Sequence, residues 1–145
     1  MADYDVDNFT QVPFNGEYGN KSVAYAELAA LSTLAASDTI DLVKIPGGAR
    51  VLSGRIIIAT AITTATLAIG VRYADGTSTG GTTGTAVMSG TGCALTIALA
   101  PQQLNFQSFV NDVDTIVYAT APVAVVPGAN TKLTAEIDYI AEGTK

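Results

Sequence analysis

Histidine and tryptophan are absent from this 145-residue chain, and cysteine occurs once. Without histidine, the commonest general base near neutral pH is missing, and so is every Ser-His-Asp or Cys-His nucleophile arrangement. One cysteine and no histidine leave zinc without a ligand set. The lone Cys93 also excludes an intrachain disulfide framework and reads as a buried thiol on a strand. Cations are few, with Lys+Arg 7 against Asp+Glu 13 and a net charge of -6. They are scattered at Lys21, Lys44, Arg50, Arg55, Arg72, Lys132 and Lys145. Direct nucleic-acid binding needs clustered cations to displace phosphate counterions, so it is not expected. No apolar run is long enough to span a membrane, and the acidic start MADYDVDNFT is the opposite of a signal peptide.

What is present is small and apolar. The hydrophobic content of 48% suffices for one core in a chain of this length. Ala, Thr and Gly dominate, which suits thin sheets or closely packed subunits. From Gly76 to Asn111 there is no charged residue. A long uncharged Gly/Thr loop is explained either as a surface loop or as a segment covered by another subunit.

Residues 1–21 form a distinct block, acidic at Asp3, Asp5, Asp7 and Glu17 and broken by Pro13, Gly16 and Gly19. It carries aromatics at Tyr4, Phe9, Phe14 and Tyr18 without any sustained period. A solvated tail has little use for those rings. The block therefore reads as an extended N-terminal arm laid on a neighbouring surface, with the rings as anchors.

Residues 22–145 read as a single β-sandwich domain. Ser22 to Leu31 fits a strand, with Val23, Tyr25, Glu27, Ala29 and Leu31 on one face; its alanines also suit a helix. Asp38 to Ile58 reads as strand, tight turn, strand, with Pro46-Gly47-Gly48 as the turn. Ile40 and Leu42 share one face, and Asp41 and Val43 the other. So tight a connection excludes a parallel pair and predicts an antiparallel hairpin at one edge of the domain. Thr66 to Tyr73 alternates, with Leu67, Ile69, Val71 and Tyr73 inward, and Gly70 marks a bulge or a close approach.

Cys93 to Leu99 alternates again. Phe106 and Phe109 fit a helical turn or a loop plugging the core, and Thr115 to Ala121 is a strand. Pro127 to Asn130 is a second turn. In Thr131 to Ile140, Leu133, Ala135, Ile137 and Tyr139 point in, while Lys132, Thr134, Glu136 and Asp138 point out. Roughly seven or eight short strands separated by turns predict an all-β, antiparallel two-sheet sandwich, jelly-roll-like, preceded by the arm. Strand order stays open at this point.

Candidate chemistry is thin. Glu136 with Asp138, or with Asp41, could form the carboxylate pair of a glycoside hydrolase, yet acids two apart on a polar strand face are usually solvated surface. Asp112 and Asp114 could ligate calcium, but the full calcium-loop pattern is missing. Tyr73 beside Asp75, or Tyr118, could make a glycan platform. The loop glycines match no phosphate-binding motif. No enzyme activity, cofactor or metal is expected.

The string DTIDLVKIPGGARVL (Asp38 to Leu52), with TLAIGVRY (Thr66 to Tyr73) and TKLTAEIDYI (Thr131 to Ile140), resembles head decoration or cement proteins of tailed bacteriophages. The resemblance covers about half of the chain and has no catalytic residues to carry over. It implies a protein on the outer surface of the virion head, bound to the major capsid protein as a trimer or other small homo-oligomer. Its expected contacts are the arm rings Tyr4, Phe9, Phe14 and Tyr18 and the cations Lys44, Arg50 and Arg55. Alternative readings are a receptor- or glycan-binding sandwich module, or a neck or tail connector of the virion.

Overall fold

The computed structural model describes residues 3–5, 21–62, 66–75, 93–94, 99, 101–104, 108–110 and 113–141. Among the described residues every regular element is a strand. In chain order these are β1 (Asp3–Asp5), β2 (Lys21–Leu28), β3 (Thr39–Ile45), β4 (Ala49–Ile58) and β5 (Thr66–Tyr73). They continue as β6 (Cys93–Ala94), β7 (Gln102–Gln103), β8 (Phe109–Val110), β9 (Thr115–Thr120) and β10 (Leu133–Ala141).

Two sheets form. The first runs β1-β3-β9-β5-β6 and the second β2-β10-β4-β7, with β8 also paired to β4. All pairs are antiparallel except β1 with β3, where Asp3–Asp5 lie parallel to Thr39–Asp41. The all-β two-sheet sandwich is thus the observed fold.

Alternation explains the core. Leu133, Ala135, Ile137 and Tyr139 of β10 are buried, and so are Leu67, Ile69 and Val71 of β5. Tyr73 is only half-buried. They meet Val51, Ile56 and Ile58 of β4 and Val117 and Ala119 of β9 in one apolar cluster. Such interleaving of two inner sheet faces is what holds a sandwich together.

Three readings of local structure need correction. The segment around Pro46-Gly47-Gly48 is not a hairpin. Its turn closes with Ala49 N–H donating to Pro46 O (3.3 Å), and Gly48 takes a φ of 77°. However, β3 pairs within the first sheet and β4 within the second. The chain therefore arches from layer to layer, and both strands lie inside their sheets rather than at one edge. The physical reason is burial: Ile45 before the turn and Ala49 after it both enter the core, so the two strands face each other across it.

Secondly, the strict alternation of β3 breaks. Asp41 pairs with Tyr118 but Val43 with Val117, a register shift that leaves Leu42 in a bulge. Leu42 and Val43 consequently both join Ile40 and Ile45 in the core. Thirdly, Phe109 is not in a helical turn. It lies in the short strand β8, opposite Val51, and packs on the core.

Turn chemistry holds at the second turn. Asn130 has a φ of 59°, which asparagine tolerates better than most residues, and Thr131 Oγ1 donates to Gly128 O (2.9 Å).

Candidate functional surface

The outer face of the second sheet is built by the polar side of β10. Glu136 lies opposite Arg55 on one flank and Tyr25 on the other; Asp138 lies opposite Ser53 and Val23. This register brings unlike groups together. Arg55 forms an ion pair and hydrogen bond with Glu136. Asp138 accepts from Ser53 Oγ (2.8 Å) and pairs with Lys21 Nζ (2.8 Å). Farther along, Lys132 pairs with Glu27 (2.7 Å), which also accepts from the Tyr25 hydroxyl (2.7 Å).

Between these groups lies an open depression of about 340 Å³, lined by Lys21, Ser53, Arg55, Gln103, Glu136 and Asp138 among others. Burial raises the affinity of Asp138 for a proton, but the Lys21 and Ser53 contacts and the Arg55 charge outweigh it, so its pKa is lowered. Lys132 and the Tyr25 hydroxyl likewise lower the pKa of Glu27. Asp138, held ionised in this way, accepts hydrogen bonds and is poorly suited to deliver a proton to a leaving group. The Glu136/Asp138 pair reads here as part of a charge-matched surface.

On the outer face of the first sheet, Tyr118 of β9 sits between Asp41 of β3 and Gly70 of β5. Its ring occupies the space of the missing Gly70 side chain: a Cβ there would lie 3.1 Å from the ring carbon Cζ. Gly70 thus marks a close approach. The Arg72 guanidinium lies 5.4 Å from the Tyr118 ring centroid and also pairs with Asp41. That ring is engaged within the chain.

The cations singled out in the sequence have intrachain partners. Lys44 pairs with Asp114 (3.0 Å), and Arg55 with Glu136. Arg50 lies on β4 opposite Ile140 and Val110, away from the Arg55 pair, and also takes part in interactions within the chain. Asp114 further accepts from the Gly47 N–H (2.9 Å); that bond first, then Lys44, lowers its pKa. Asp114 therefore fastens the Pro46-Gly47-Gly48 arch. Tyr4 belongs to β1, where its Cα faces that of Ile40. Phe9, Phe14, Tyr18, Phe106 and Asp112 lie outside the described residues. Among the described residues there is no group of three or more His, Cys, Asp or Glu side chains able to hold a metal.

One surface feature escaped the sequence reading. Val23 and Tyr25 of β2 stand on the solvent face at 48% and 44% exposure, while Ala24 and Ala26 fill the core. The shared face of Val23 and Tyr25 was legible from their spacing. Its outward direction was not, because Ala, Val and Tyr all count as apolar.

No protein-family profile matches the chain, and no curated protein matches it. Solved structures do. A chain of the Ralstonia phage GP4 capsid superposes with a TM-score of 0.74 at 16% identity, covering 99% of this chain and 100% of that one. A chain of the acid-stable capsid of Helicobacter pylori bacteriophage KHP30 gives 0.56 at 17% identity over 88% and 92% of the two chains. A chain of the cyanophage Pam1 capsid asymmetric unit gives 0.54 at 22% identity over 88% and 89%. The two-sheet sandwich of this protein is thus a fold that chains of three bacteriophage capsids share.

Proposed function

We propose that this chain is a structural protein of a bacteriophage virion, seated on the outer surface of the head, where it binds the major capsid protein and stabilises the shell as a decoration or cement protein. The observation that carries the reading is the near end-to-end likeness to a chain of a phage capsid. The two outer faces support it. Their charged side chains are matched in cross-strand pairs, which suits a rigid subunit making many modest contacts on a repeating lattice.

In this reading Phe9, Phe14 and Tyr18 of the 1–21 segment reach a neighbouring surface, with Tyr4 adding a contact from β1 at the edge of the first sheet, while Lys44, Arg50 and Arg55 add polar contacts. The ion pair of Arg55 leaves its side chain 45% exposed, so it can still meet an acidic neighbour. The protein acts as a small homo-oligomer on the shell.

Binding to purified, expanded heads that lack the protein tests this. The full chain is expected to sediment with the heads at saturable stoichiometry, and a Phe9→Ala/Phe14→Ala/Tyr18→Ala variant, which leaves β1 and β2 in place, at clearly lower occupancy. Equal occupancy of both would remove the arm from the account. Failure of the full chain to bind would remove the shell-surface role itself.

A further inference from the structure

Sheet edges are the places where one chain can extend another, and folded proteins usually blunt them with short strands, bulges, proline or charge. Among the described residues, three of the four outermost strands of this sandwich are short: β1 has 3 residues, β6 has 2 and β7 has 2. The fourth is β2. It has 8 residues, contains no proline, and pairs with β10 in continuous register from Lys21 to Leu28. Among the described residues, no strand lies on its other side.

The sequence of β2 is complementary to itself. Laid antiparallel on a second copy with Ala24 at the two-fold axis, Val23 comes opposite Tyr25 and Lys21 opposite Glu27. All four belong to the outward face, whose apolar members are half-exposed in the single chain. An aromatic with a β-branched residue, and a cation with a carboxylate, are favourable cross-strand pairs. The ion pairs that Lys21 and Glu27 already make with Asp138 and Lys132 lie on this same face. The second copy would therefore extend an existing charge network rather than break it.

We propose that β2 is a homodimer interface, joining the second sheets of two copies into one continuous antiparallel sheet across a two-fold axis. An edge-to-edge antiparallel pair closes on itself, so the assembly stops at two copies rather than three. This does not rest on the shell-binding reading; the dimer forms in solution without heads.

Sedimentation of the full chain over a dilution series tests it. The wild type is expected at twice the chain mass. The Val23→Lys/Tyr25→Lys variant, which sets like charges across the axis, is expected at the mass of one chain with an unchanged far-ultraviolet spectrum. A wild type that stays single at every concentration or forms trimers overturns the proposal, as does a double-lysine variant that still dimerises. A second variant guards against a folding defect. With Cys93→Ser removing the native thiol, Val23→Cys/Tyr25→Cys places thiols at facing positions, within disulfide range of each other. Oxidation should give a covalent dimer on a non-reducing gel; its absence refutes this register.

Discussion

A Cβ placed on Gly54 would stand 2.7 Å from Ile137 Cδ1 and 2.9 Å from Leu104 Cδ1, both inside the core. On Gly70 it would stand 3.1 Å from the Tyr118 ring, on the outer face. The difference sets the size of the response. Core side chains have nowhere to retreat, so Gly54→Ala should cost about 1–3 kcal/mol through overpacking. Tyr118 can shift toward solvent, and Gly70→Ala should cost less than Gly54→Ala. Denaturant melts of the two variants give the order directly, and the reverse order would mean that the Tyr118 ring is clamped more firmly than the core.

At the scale of elements, the arch between β3 and β4 depends on a distant residue. Asp114, just before β9, holds the Gly47 N–H and Lys44. Its folded pKa is depressed below the ordinary 3.8, and so is that of Asp138. Near that value the unfolded chain binds more protons than the folded one. The stability these groups contribute is therefore complete above their ordinary pKa and is lost as pH falls through the folded values. Melting temperature should drop as pH is lowered below about 4, and Asp114→Asn should flatten that slope. An equal slope in the variant would show that Asp114 does not fasten the arch.

The same region shows what was legible in advance. Leu133, Ala135, Ile137 and Tyr139 could be placed in the core from the sequence because apolar and polar residues alternate there without exception. Pro46-Gly47-Gly48 was equally clear as a reversal, but turn residues specify that the chain bends, not whether it returns to the same sheet or crosses to the other. That choice is made by β9 and β10, far along the chain, which supply the partners of β3 and β4. The bulge at Leu42 was hidden for a related reason: Leu42 and Val43 are both apolar, and only the register against Val117 shows that both are buried. For the candidate surface, Lys44, Arg50 and Arg55 could be picked out by charge. The partners of Lys44 and Arg55, Asp114 and Glu136, could not, since they lie 70 and 81 residues farther along the chain.

At the scale of the whole molecule, a sandwich shared with phage capsid chains carries matched charges on both outer faces, and the role proposed for it lies outside the shell. A role on the shell also predicts a mechanical effect. Heads carrying the full chain should withstand higher temperature before releasing DNA than heads without it, read by dye access on a thermal ramp. Equal release temperatures would leave the protein as a passenger on the head. The most direct measurement of the central claim is cryo-electron microscopy of purified particles containing this chain. Repeated two-sheet density is expected on the outside of the head, in contact with the major capsid protein. Density confined to the neck or tail, or particles that lack the chain altogether, would contradict it.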